Sequence, residues 1–268
     1  SYIISGVSFG SLDELMIYID GEPADGVMVT KDPISSIADA DIYENHVIVR
    51  HENVNPLTIA NMAIWDSSDD SDIPYTAINA GTDTLSLPAD TKLLIWANKD
   101  FAPAGNITLA GGGAGASYDG SLEALSGAQF IAAGNESHSI GGSFEFASDA
   151  SFVAASSTVT FTTNGVGRSV KVNEDDFNNL VFNGSGSWSI VDAGSTVLGD
   201  LTITSGALTL AAATTTVGGS LTNSASLNTN NGQLRFTAGS GTQTVTFGGD
   251  DAAEVVFTGG ANWTITDT

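Results

Sequence analysis

"LVFNGSGSWSIVD" spans Leu180 to Asp192, and further along "VVFTGGANWTITD" spans Val255 to Asp267. Each reads as a strand, a Gly-rich turn and a second strand built around Trp. At the same constant offset Phe152 matches Leu227, Phe161 matches Phe236, Val170 matches Val245, Phe182 matches Phe257, Gly184 matches Gly259 and Trp188 matches Trp263. Internal repetition of this kind points to stacked architectures in which each unit buries its apolar face against the next. Upstream the match slips: "SGA" at Ser126 to Ala128 recurs at Ser205 to Ala207, and "GGS" at Gly141 to Ser143 recurs at Gly218 to Ser220. Turns, rather than strands, have changed length there.

A shorter beat runs inside each copy. "GDLT" at Gly199 to Thr202 returns as "GSLT" at Gly219 to Thr222, and Leu208 is followed by Leu227 and Phe247, a step of roughly 20 residues, at the short end of solenoid periods. Segments such as "TVTF" (Thr158 to Phe161), "LTIT" (Leu201 to Thr204), "QTVTF" (Gln243 to Phe247) and "WTIT" (Trp263 to Thr266) alternate apolar residues with Ser or Thr, the period of a half-buried strand. Gly, Asn, Asp and Ser between them suit tight corners. Three short strands and three corners per beat predict one turn of a parallel β-solenoid, with rungs stacked at the ~4.8 Å strand spacing. About four rungs are expected per repeat unit, right-handed as parallel crossovers are, with both Trp side chains inward at equivalent levels. A tandem of immunoglobulin-like sandwiches needs ~100 residues per domain and carries no such beat.

Before residue 120 the pattern loosens. "ELMIYIDG" (Glu14 to Gly21), "GVMVT" (Gly26 to Thr30), "NHVIVRH" (Asn45 to His51), "LTIANMAIW" (Leu57 to Trp65), "LSLPADTKLLIW" (Leu85 to Trp96) and "NITL" (Asn106 to Leu109) read as strands, and helical spacing is absent after residue 20. The expected organisation is all-β: an irregular N-terminal β module or solenoid start over 1–55, rungs with an acidic loop over 56–118, one repeat copy over 119–198 and a second, truncated one over 199–268. The Gly-rich run "AGGGAGASYDGS" (Ala110 to Ser121) marks the main boundary.

Composition narrows the functional classes. Seven Lys and Arg stand against 31 Asp and Glu, a formal charge of −24. That repels nucleic acid and anionic membranes and favours solubility and divalent cations. The absence of cysteine removes disulfides and thiolate chemistry. No apolar run approaches the ~18 residues of a membrane span, the first residue is Ser rather than Met and no basic-then-apolar leader is present in the sequence, so the chain reads as a processed or excised segment that inserts in no membrane. Hydrophobic residues at 41% suffice for a core.

The stretches "NHVIVRHEN", "LTIANMAIWDSSDDSDIPYT" and "LLIWANKDFAPAGNITL", followed by the cadence "GGS…LVFNGSGSWSI…GDLTI", resemble tandem modules of very large bacterial surface proteins, notably those of uncultured ultra-small bacteria. The solenoid part is also similar to the β-helix stalks of filamentous adhesins. The resemblance implies an extracellular repeat protein, a stalk or display scaffold whose partners are further repeats of its parent chain and a host or neighbouring cell surface or glycan. It carries over no catalytic residue.

Of the polar constellations, "DSSDDSD" is the most chemical: Asp66, Asp69, Asp70 and Asp72 with Ser oxygens between them supply the hard donors Ca²⁺ takes. The spacing departs from the EF-hand loop, and a solvated acidic turn is the simpler reading. No cofactor is required otherwise. His46, His51 and His138 are the only histidines, and a zinc site would need all three together. On "HVIVRH" His46 and Arg50 share one strand face and Val47, Val49 and His51 the other, and Arg50 is expected to pair with a carboxylate. The chain is read as no enzyme. A carbohydrate-active β-helix is the alternative, but Glu174, Asp175, Asp176, Asp250 and Asp251 fall at corners rather than across a cleft. An ice-binding solenoid is the lesser alternative: Thr158, Thr160 and Thr162, or Thr264, Thr266 and Thr268, could form a hydroxyl ladder, yet such runs do not recur at each rung in the sequence, and β-branched residues suit outward strand positions anyway. "GGGAG" (Gly111 to Gly115) precedes no helix and makes no phosphate cradle. Sequons at Asn106, Asn135, Asn183 and Asn262 are no more than chance supplies.

Overall fold

A computed structural model describes residues 13–22, 25–33, 37–112 and 120–266. It is all-β, a parallel β-solenoid of about 11 turns. Among the described residues only two strand pairs are antiparallel, Glu14–Tyr18 with Val27–Lys31 and Thr76–Ile78 with Asp83–Leu87.

Each turn has three faces, met in a fixed order along the chain. On the first, Leu85, Ile107, His138, Val159, Leu180, Leu201, Leu221, Val245 and Ile265 stand in register one above another. On the second, Val27, Val47, Leu93, Leu122, Phe144, Val170 and Ile190 form the column, and Trp188, Leu208 and Leu227 carry it on. On the third, Leu57, Phe101, Phe130 and Phe152 stack, and above them Phe177, Val197, Val217, Phe236 and Phe257. Strand alternation sends these residues inward, where all but Ile265, exposed on the last described rung, merge into one core. Two long strands, Asn179–Ile190 and Leu201–Thr209, bend round the corner from the first face to the second and join both ladders in one 18-stranded sheet.

On the first face the steps through Val159, Leu180, Leu201, Leu221, Val245 and Ile265 keep close to the beat expected, with one longer stride between Leu221 and Val245. The repeat unit is not four whole turns. Phe161 lies on the first face, and its equivalent Phe236 on the third. Val170 lies on the second and Val245 on the first. Trp188 lies on the second and Trp263 on the first. The unit is thus one face short of four turns, and the second copy is rotated by one face. Both Trp rings point inward, but they occupy different faces. Likewise Leu208 and Leu227 stack on the second face, while Phe247 follows Val245 out of a first-face strand.

Packing within the unit survives this rotation. Phe161 and Phe182 stack with centroids 5.1 Å apart, as do Phe236 and Phe257, and the ring after each pair, Trp188 or Trp263, tilts against it at 5.2 and 5.1 Å. Asp175 accepts a hydrogen bond from the Phe152 amide of the turn below (2.6 Å), and Asp250 does the same for Leu227 (2.6 Å). Corner acids therefore stitch one turn to the next.

The N-terminal part corrects one strand. "LTIANMAIW" holds a single helical turn, Ile59–Met62, because Thr58 and Asn61 form a reciprocal capping box and Ile59 and Met62 are buried at helical spacing. Val27–Lys31 and His46–His51 lie on the second-face ladder below Lys92–Ile95, continuous with the solenoid. Most of the run read as the main boundary, together with Asp267 and Thr268, lies outside the described residues.

Candidate functional sites

The acidic loop is built from its own backbone. Asp66 is buried, with one oxygen accepting from the Ser68 amide (2.8 Å) and the other from Ala77 (3.0 Å). Asp69 accepts from the Asp66 amide (3.0 Å). Asp70 accepts from the Asp72 amide (3.0 Å) and the Tyr18 hydroxyl (3.0 Å), and Asp72 from the Gly21 amide (2.6 Å). Burial alone would push the Asp66 carboxyl up, but the Ser68 and Ala77 donors reverse this and hold it below the ordinary carboxylate range. The four sequence-predicted ligands thus face separate donors, and among the described residues no group of three or more His, Cys, Asp or Glu is placed to hold a metal. What the loop joins is the antiparallel strand Glu14–Tyr18, the turn after it and Thr76–Ile78. Asn61 of the helical turn adds a bond to Glu14 Oε1 (2.6 Å).

Beside the loop is a cleft of about 420 Å³ lined by Glu14, Met16, Tyr18, Trp65, Asp69 and Asp70 among others. Trp65 is half exposed at its rim.

The histidines are not brought together. His138 is an inward first-face residue between Ile107 and Val159, edge-on to Phe130 at 5.1 Å and 3.4 Å from Glu136 Oε2. His46 Nδ1 meets the Glu44 carbonyl at 2.7 Å, and burial lowers its pKa. His51 bonds to the Asn53 carbonyl. Arg50 does pair with a carboxylate: its Nε donates to Glu52 Oε1 (2.6 Å), its Nη1 to the Asp39 carbonyl (2.8 Å), and its guanidinium lies 5.7 Å from the Trp96 ring. Burial would raise the Glu52 pKa, but Arg50, with Thr30 and Lys99, outweighs it and lowers it.

The feature that the sequence concealed is the outer surface of the first face. Its rungs place Ser86, Thr108, Ser139, Thr160, Val181, Thr202, Thr222, Thr246 and Thr266 in one column. At the preceding outward position of each rung stand Thr84, Asn106, Ser137, Thr158, Asn179, Asp200, Ser220, Thr244 and Thr264. All are at least partly exposed. The expectation that such runs do not recur at each rung holds, since Asn179 and Val181 leave one rung without a hydroxyl, but the recurrence is wider than the sequence suggested: Ser replaces Thr on several rungs, and the uneven steps hide the alignment. The earlier column is cross-linked along the stack. Asn106 Oδ1 accepts from the Ser137 amide (2.8 Å), Asn179 Oδ1 from Asp200 (3.0 Å), Asp200 Oδ1 from Ser220 (2.7 Å) and Ser220 Oγ from Thr244 (3.1 Å). In the other column the Thr246 and Thr266 hydroxyls meet at 2.7 Å. Comparison of the chain with family models, with curated proteins and with solved structures finds no match.

Proposed function

We propose that this chain is a structural segment of an extracellular bacterial surface protein, a stiff spacer that displays contact surfaces to a cell surface or glycan. The supporting observation is the unbroken parallel stack, whose columns of apolar side chains and rung-to-rung hydrogen bonds make one continuous rod from Val27 to Ile265. About 11 turns at ~4.8 Å each give an axis of about 50 Å. A surface of charge −24 without cysteine suits an exposed, soluble role. Small-angle scattering should return a rod of that length, and a compact sphere would refute the spacer.

A carbohydrate-active role is the second reading, favoured by half-exposed Trp65 on a cleft that also holds carboxylates. The purified chain, incubated with pectins, alginates, glycosaminoglycans and neutral glycans, should release no product. Turnover lost with Asp69→Asn or Asp70→Asn would replace the scaffold reading with an enzyme.

A further inference from the structure

We propose that the outer surface of the first face binds ice. Three observations carry this, and none depends on the scaffold reading. The first is periodicity in two directions: the outward columns repeat at the ~4.8 Å rung spacing along the axis, with a hydroxyl on each rung except that of Asn179 and Val181, and on most rungs both outward positions, about 6.7 Å apart along the strand, carry one. Both intervals are of the order of the oxygen repeats on ice surfaces. The second is rigidity. Thr is stiff at χ1, and the side-chain bonds from Asn106, Asn179, Asp200 and Ser220 to the rung above tie the first column to the frame. Little rotamer entropy then remains to be lost on adsorption to a crystal.

The third observation is the exclusion of charge. In a chain with 31 acidic and seven basic residues, the two columns contain Asp200 alone. The second face carries Glu123, Glu145 and Lys171 outward, and the third Asp100, Arg235 and Glu254. Fixed charges orient water around themselves and break a lattice, whereas Thr offers a methyl group that cages water beside a hydroxyl that anchors it. Val181 keeps the Thr shape at the one rung of its column without a hydroxyl. Among the described residues the face has no aromatic ring to stack on a sugar and no carboxylate row to match an ionic mineral, which leaves ordered water as the occupant.

The test is partition of the purified chain into a slowly growing ice front, together with thermal hysteresis and inhibition of ice recrystallisation. The chain is expected to enter the ice and halt crystal growth. Thr202→Tyr, which raises a ring above the face, should reduce both several-fold with unchanged melting, while Thr216→Tyr, outward on the third face, should leave them intact. If Thr202→Tyr does not fold, Thr222→Lys serves the same purpose. Partition no greater than that of an inert globular protein, or equal losses in the first-face and third-face variants, would overturn the proposal. Binding to crystalline chitin or cellulose but not to ice would also overturn it, and would assign the face to a polysaccharide.

Discussion

Gly184 and Gly259 have no side chain because of what lies beneath them. A Cβ on Gly184 would overlap the Thr163 carbonyl of the turn below, and one on Gly259 the equivalent Ala238 carbonyl. Neither has a positive φ, so close stacking, and not turn conformation, requires them. Gly184→Ala should destabilise by about 1–3 kcal/mol through overpacking, read as a lower midpoint in urea. Further along the same strand, Trp188 is 1% exposed and wedged against Phe161 and Phe182. Among the described residues its indole N–H finds no acceptor, so packing holds it. Trp188→Ala should cost ~3–5 kcal/mol. Trp263, only partly buried in the last described turn, should cost less. Equal, small losses would refute the inward placement. Three titrating groups act in one direction. The Glu52 and Asp66 carboxyls are lowered, and His46 is lowered by burial. A depressed pKa contributes stability above the unfolded value that is lost as pH falls through the folded one. Melting temperature should therefore fall on acidification, first below the ordinary His range and then steeply below the carboxylate range. Glu52→Gln should flatten the lower limb, and a flat profile would contradict the assignment.

Among elements, the acidic loop matters as a joint. The parallel stack meets antiparallel strands at Glu14–Tyr18 and Thr76–Ile78, and the loop ties both together. Asp66→Ala leaves the Ala77 and Ser68 amides without acceptors, a loss of roughly 1–3 kcal/mol. Because each of the four carboxylates already accepts a protein donor, the loop should hold its fold without cation. Millimolar Ca²⁺ and a chelator should give the same melting curve, and a Ca²⁺ shift lost in Asp69→Asn with Asp70→Asn would reverse that reading. This element also shows where sequence reading stops. The acids are visible in "DSSDDSD", but their partners Tyr18, Gly21 and Ala77 lie on other strands and turns, two of them far back along the chain. The strand read into "LTIANMAIW" failed because Leu57 and Ile59 alternate before the Thr58–Asn61 box takes over.

At the scale of the molecule, solenoid class and strand positions were legible because apolar alternation is local. Rotation of the second copy was not. All three faces present the same apolar alternation inward, so a strand fits any of them, and the repeat records contacts within the unit (the Phe161, Phe182, Trp188 triad and the Asp175 stitch) without recording its face. The first-face hydroxyl columns were hidden for a related reason. Their steps are as short as that from Leu201 to Leu221 and as long as that from Ile107 to His138, and only hydrogen bonding between rungs aligns them. A longer array of such units would turn like features successively towards each of three directions, which suits a display rod.

The absence of cysteine allows a direct measurement of this register. Thr244 is the repeat equivalent of second-face Ser169, but stands on the first face above Ser220, whose hydroxyl accepts from its amide. Stacked neighbours ~4.8 Å apart lie within the Cα range of a disulfide. The double variant Ser220→Cys with Thr244→Cys should therefore oxidise readily to an intramolecular disulfide in the folded chain, and Asn228→Cys with Thr244→Cys should not. A disulfide in the Asn228 pair and none in the Ser220 pair would mean that the copies stack in whole turns, and would contradict the rotated solenoid.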